Sequence, residues 1–431
     1  MLNVISTIPP SLEKFLGEFR DLFIKPQFEN FKVYPFGLQL ELKRTNIQTI
    51  DECRPKSNYD SLHHFLTNSP WDEEKVNSRR IEIIQKDNRT KSYPDGSLII
   101  DDVACKKSRS ATKIEAAKVQ YAGSEKGLVN CNVAVTSYYV DKIRDFPVNL
   151  SPYVPADEFE EGEDSPDFFT KIELGKKLVL DAIEKGIQFK EGLIDNWYLC
   201  SDFVSFLEIQ GKDWISTLKS NDVIYRLSKK RRIRKKKKHR TKKRGREFTV
   251  EKLVNSLPPG YFQVITKVYK DGKEEKRYIW AANFRVQSLG GTQRIVVSKP
   301  DPYTKDMKRI DVYVTNNLSL KDKEIVHHFS RRWKTEEFNR DAKDNLAFDQ
   351  YQVRTLKAIK RHWYSVFIAH SFLMCSKLKG SFQRILKTNL NTIRDLLKAF
   401  RKINLLYFLR WLKNHYNVFR QYLCVKEPIF A

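Results

Sequence analysis

The sequence has no apolar run of the roughly 18–20 residues that a membrane-spanning helix needs. Its best candidate, 366–375 (VFIAHSFLMC), is short, carries His370 and Ser371, and reads as a buried helix. The N-terminal MLNVISTIPPSLEKF lacks the charged-then-apolar pattern of a secretory leader, so the chain is expected to stay in the cytosol. Cysteine is sparse: the six, Cys53, Cys105, Cys131, Cys200, Cys375 and Cys424, lie far apart with no C-x-x-C pair. The eight histidines adjoin only as His63-His64 and His327-His328, neighbours that point to different faces of a helix. Zinc-site spacing is therefore absent, and the cysteines read as reduced. There is no glycine-rich phosphate loop of the P-loop kind and no internal repeat.

Acid is scarce relative to base. Against 53 Asp and Glu stand 79 Lys and Arg, a formal charge of +26. That excess goes well beyond what solubility needs and points to a polyanionic partner, nucleic acid once the membrane is set aside. With 41% hydrophobic and 12% aromatic residues in a chain of 431, a sizeable core and roughly two to four domains are expected.

Residues 1–90 read as helical and loop-rich, with helical spacing in 11–23 and 61–76. A short strand follows in DGSLIIDDVA (95–104), where Leu98, Ile99 and Ile100 run into two acids. VNCNVAVTSYYV (129–140) and DFPVNLSPYVP (145–155) are further strands. An acidic loop, a helix over 170–186, a strand over 191–199 ending in an acid, a helix near 202–210 and a strand over 213–220 come next. Three antiparallel strands and then alternating helices and strands is the element order of the ribonuclease H-like fold, an order that several α/β folds share. From Arg226 to Arg246 there are 15 Lys and Arg and no acid, Lys235, Lys236, Lys237 and Lys238 among them. The run suits sequence-independent DNA affinity, a localisation signal or a solvated loop. Strand-like segments at 260–269, 276–286, 293–299 and 309–316 make 221–317 a mostly β insertion. Helices then continue through 319–345, 355–379, 382–400 and 403–417.

One helical stretch, FSRRWKTEEFNRDAK (329–343), is dense in charge. Ser319 with Asp322 suggests a capping box, so one helix is expected over 319–345. At about 100° per residue, Phe329, Arg332, Glu336, Asn339 and Lys343 share a narrow face. Such a stripe suits ordinary i,i+4 ion pairs such as Arg332–Glu336. It also suits chemistry if Glu336 meets Asp101 and Asp195, each expected at the end of a strand. Three converging carboxylates repel unless protonated or bridged by hard cations; Mg²⁺ binds through carboxylates and substrate phosphates, and two such ions about 4 Å apart serve in-line phosphoryl displacement.

Phe329-x2-Arg332-x3-Glu336-x6-Lys343 resembles the Tyr-x2-Arg-x3-Glu-x6-Lys signature of DDE transposases of insertion sequences in the family 4 clan, with Phe for Tyr at 329. LIIDDV, 119–135, FTKIELGKKL (169–178), LIDNWY (193–198) and 347–362 look like the family 701 branch. The resemblance covers roughly 10–380. It implies an α/β, ribonuclease H-like catalytic core with a mostly β insertion and helical N- and C-terminal regions. The corresponding divisions are 1–90 (helical, DNA-binding), 91–220 (core, first part), 221–317 (basic run and insertion), 318–380 (core, second part) and 381–431 (helical). It further implies Asp101, Asp195 and Glu336 as catalytic and metal-binding acids, with Asp102 the fallback for Asp101, and two Mg²⁺ ions for which Mn²⁺ can substitute. Phe329, Arg332, Asn339 and Lys343 would contact DNA, the Phe keeping a stacking face but not the hydroxyl. Trp280 is either a stacking surface for an unpaired base or a sheet-face residue. The implied activity is metal-dependent cleavage at double-stranded element ends and 3′-OH strand transfer into target DNA, without ATP. It would be carried out by a dimer on DNA in a prokaryotic, nucleoid-associated cytoplasmic setting. A metal-dependent nuclease without strand transfer and a non-catalytic DNA-binding derivative remain alternatives.

Overall fold

The computed structural model describes residues 8–54, 58–123, 126–227, 247–268, 274–386 and 390–415. The N-terminal region forms α1 (Pro10–Gly17), α2 (Lys25–Gly37), α3 (Ile47–Asp51), α4 (Tyr59–Thr67) and α5 (Glu73–Gln85). Then come β1 (Ser97–Lys106), β2 (Lys118–Ala122), β3 (Gly127–Val140), β4 (Asp145–Tyr153), α6 (Lys171–Glu184), β5 (Glu191–Ile194), α7 (Ser201–Ile209) and β6 (Asp213–Thr217). The insertion contributes β7 (Val223–Arg226), β8 (Glu247–Thr249), α8 (Val250–Ser256), β9 (Gln263–Val268), β10 (Glu274–Val286), β11 (Gln293–Lys299) and β12 (Asp311–Thr315). The chain ends in α9 (Asp322–Ser330), α10 (Trp333–Leu346), α11 (Leu356–Leu378), α12 (Ser381–Leu386) and α13 (Ile393–Asn414).

One sheet runs β2-β3-β1-β5-β6-β12-β11-β10-β7-β8, with β4 also paired to β3 and β9 to β10. As the element order predicts, β1, β3 and β4 are antiparallel neighbours, and β5 and β6 add in parallel on the other side of β1 after helical crossovers. This is the mixed α/β arrangement of a ribonuclease H-like core. The insertion continues the same sheet, because β12 returns antiparallel beside β6.

Side chains of successive β1 residues alternate between the two sheet faces. Ile99, Val103 and Cys105 join an apolar layer with α10 and α11, into which the N-terminal helices also pack. Leu98 and Ile100 join the layer beneath α6 and α7. Helix α11 is buried almost throughout, as its run of apolar residues on every side requires. Its Arg361, fully buried, donates to the Phe65, Leu66, Ser69 and Trp71 carbonyls and so ties the N-terminal helices to the core.

Three local expectations are corrected. β1 runs through Lys106, so Asp101 lies within a strand rather than after it; the long β3 keeps pairing with every β1 residue past the point where β5 stops. β5 ends at Ile194, so the strand expected over 191–199 is shorter and Asp195 is the first residue beyond it. The helix expected over 319–345 is two helices. Ser319 bonds the Asn317 side chain instead of capping, and α9 begins at Asp322. Between the helices, i→i−3 bonds from Arg331, Arg332, Lys334 and Thr335 tighten the backbone and separate α9 from α10.

Candidate active site

β1 and β5 pair in parallel up to Ile100↔Ile194. The next residues are Asp101 and Asp195, so two carboxylates leave adjacent strands at one level. The period of two sends Asp101 to the face that carries Ile99 and Val103, where α10 packs. Asp102 goes to the opposite face, where Lys171 at the start of α6 holds it at 2.6 Å.

Arg332 joins Asp101 to the third acid. Its Nη1 donates to Asp101 Oδ2 at 3.0 Å, and its Nη2 to Glu336 Oε1 at 2.6 Å. The ordinary i,i+4 pair that the helical spacing suggests is thus present, and the same guanidinium reaches across to the sheet. Asp195 is oriented by its own turn: Oδ1 accepts the backbone N–H groups of Trp197 (2.9 Å) and Tyr198 (3.2 Å). Burial pushes the Asp101 carboxyl up to about 7; Arg332 opposes the rise, and the charges of Asp195 and Asp102 add to it.

The other signature residues surround this edge. Phe329 is half-buried, its ring 5.4 Å from that of Tyr313 and 5.8 Å from the Arg332 guanidinium carbon. Lys343 donates to the Ala104 carbonyl of β1 at 2.7 Å, and so pins α10 to the acid-bearing strand. Asn339 is partly exposed on α10. Trp280 is partly buried on β10, its ring 6.2 Å from Phe284, packed against the apolar layer of the insertion as a sheet-face residue would be. Lys235–Lys238 lie outside the described residues.

Among the described residues, no three His, Cys, Asp or Glu side chains gather closely enough to hold a metal ion. The donor chemistry nevertheless suits a hard divalent cation. The acids offer oxygen ligands alone, and Asp101, largely buried beside two other aspartates, calls for positive charge that Arg332 now supplies.

Residues 18–265, more than half of the chain, match the family model described as DDE superfamily endonuclease. The chain belongs to the DDE endonuclease superfamily. The match to that superfamily includes Asp101 and Asp195. A second model, described as Transposase DDE domain, matches residues 176–372 and includes Asp195 and Glu336. This DDE superfamily chain is also 33% identical over 199 residues to the probable transposase for insertion sequence element IS701 of Microchaete diplosiphon, as the resemblance to the family 701 branch implies. That alignment takes in 46% of this chain and 50% of the relative, so the chain spans about half the length of the curated relative it matches.

Two residues near the acids escape reading by composition or periodicity. Lys171 sits between rings, its Nζ 5.5 Å from the Trp197 ring centre and 5.4 Å from that of Tyr153, while paired to Asp102. Tyr198 is buried with no hydrogen-bond partner for its hydroxyl among the described residues. Burial holds that phenol well above its usual pKa, and the charges of Asp102, Asp101 and Asp195 add to the effect. The aromatic pair Trp197-Tyr198, two residues after Asp195, is the sequence signal for this surround.

Proposed function

We propose that this chain is a DNA transposase that cleaves double-stranded DNA at insertion-sequence ends and joins the exposed 3′-OH to target DNA. The observation that supports the reading is that Asp101 and Asp195 each follow the last β1–β5 pair, while Arg332 bonds both Asp101 and Glu336. The basic excess supports a phosphate-rich substrate.

In this reading Asp101 and Asp195 are the first two acids and Glu336 the third, and together they would hold two Mg²⁺ ions, or Mn²⁺ in their place. When bound, these ions would stabilise the charge on the attacking and leaving oxygens of an in-line displacement. Asp195 is held in orientation by two backbone N–H groups, and Asp101 by its place in the sheet. Arg332 offers guanidinium donors suited to a DNA phosphate. Lys343 fixes α10, and with it Glu336, against β1. Asp102 is an unsuitable first acid because it faces away from Glu336 and is neutralised by Lys171. Two ends must be held together for joining, so the DNA complex is a dimer in this reading.

The test is to incubate the protein, Mg²⁺ and labelled element-end duplex with a target plasmid. Joined products dependent on the three acids are expected. Cut ends without joining would instead establish a nuclease, and neither product with DNA binding intact would leave a binding protein.

A further inference from the structure

Arg332 occupies the place of a cation. Its two Nη atoms lie between Asp101 Oδ2 and Glu336 Oε1, at 3.0 and 2.6 Å, and its side chain is 21% exposed. No other ion-pair partner of either carboxylate is found among the described residues. The guanidinium also stands at the junction of α9 and α10, where Arg332 is the residue preceding the first turn of α10. A guanidinium that neutralises two acids excludes a divalent ion from them by charge and by volume. A guanidinium is also a bidentate receptor for phosphate, so the same group has two competing claims on it.

We infer that Arg332 is a positioning residue that makes metal loading conditional on DNA. Without DNA, Arg332 closes the acid pair Asp101–Glu336. A backbone phosphate arriving at the site draws the guanidinium away, leaves two carboxylates without a counter-charge, and thereby raises their affinity for divalent cations. By linkage, the metal raises DNA affinity by the same factor. The consequence is an enzyme whose acids load only when a strand is present. This rests on the reading of Asp101, Asp195 and Glu336 as the metal-binding acids.

Mn²⁺ binding by the full chain, followed by electron paramagnetic resonance, tests both layers separately. In the wild type, a duplex of the DNA flanking the gene should raise acid-dependent Mn²⁺ affinity by about tenfold or more, within the usual range of coupling between sites. The signal due to Mn²⁺ on the DNA itself is subtracted with a sample of the duplex alone. Arg332→Gln should bind Mn²⁺ without DNA about as tightly as the wild type does with it, and Arg332→Lys, with a single point charge that cannot span both acids, should fall between. Equal Mn²⁺ affinity for wild type and Arg332→Gln in the absence of DNA would overturn the inference, as would a wild-type affinity that DNA does not change. The second comparison needs no variant and holds even if Arg332→Gln fails to fold. Mn²⁺ binding that survives Asp101→Asn, by contrast, would overturn the assignment of the acids themselves.

Discussion

Asp101 and Asp102 differ by one position and by one face of β1. That single step places the first beside α10 and the second beside Lys171. Asp101→Asn, Asp195→Asn and Glu336→Gln should each lower end cleavage by about 10³-fold, equivalent to about 4 kcal/mol of barrier, while leaving end binding intact. Asp102→Asn loses a partly exposed ion pair that contributes up to about 1 kcal/mol, so its effect on cleavage should stay under about tenfold. Gel-based cleavage and mobility-shift assays on the four variants would reverse the assignment if Asp102→Asn were the more damaging. Tyr198 gives a complementary prediction. Because its hydroxyl has no partner among the described residues, Tyr198→Phe should change stability by no more than about 0.5 kcal/mol in urea denaturation. A larger loss would mean that the hydroxyl bonds a group in the folded protein.

Helix α11 joins the N-terminal helices to α10 and the sheet, and its two buried histidines set a pH limit. Burial holds His362 down to about 3 and His370 down to about 4. His362 is therefore neutral: its Nε2–H donates to the Ala347 carbonyl, and its Nδ1 accepts from the Tyr34 hydroxyl. Unfolded histidines titrate near 6.5, so below that pH the unfolded chain binds more protons than the folded one. Stability should fall as pH drops from about 6.5 towards 4, by up to about 1.4 kcal/mol per pH unit for each histidine. Urea midpoints at pH 7.5 and 5.5 measure this, and His362→Asn and His370→Asn should each flatten the difference. A midpoint gap unchanged in both variants would place the acid sensitivity elsewhere.

The legibility of these elements followed from how locally each is determined. The alternation of strands with amphipathic helices marks β3 to β6 and α6 in the sequence because each buries its own pattern of residues. The two acids were also readable, since each interrupts or follows an apolar strand. That Asp101 lies inside β1 was not, because only pairing with the distant β3 extends that strand. The turn between α9 and α10 was equally hidden: Arg331 and Arg332 are good helix formers, and propensity gives no sign of the i→i−3 bonds that separate the two helices there. Composition also could not reveal that Arg332 would serve two acids, one four residues away and the other on the sheet.

At the scale of the whole chain, charge dominates. No helix among the described residues is long and apolar enough to cross a membrane. The 15 Lys and Arg from Arg226 to Arg246 form the densest block of the +26 surplus. Deleting 229–246 should flatten the plot of log binding constant against log salt, by about 0.9 for each DNA phosphate that the block neutralises, with the thermal melting transition retained. An unchanged slope would show that the block does not engage the DNA backbone.

The strand pairing between β6 and β12 has a last consequence. The polypeptide leaves β6 after Thr217 and, having built the outer strands of the sheet, comes back alongside β6 as β12, with Thr217 opposite Tyr313 and the Leu218 N–H bonded to the Val312 carbonyl at 2.8 Å. Exit and re-entry are therefore neighbours, and whatever hangs between them does not set the span from Asp195 to Glu336. The intervening segment is a cassette on a fixed doorway: its length and contents can diverge from one descendant to another while the acids keep their spacing.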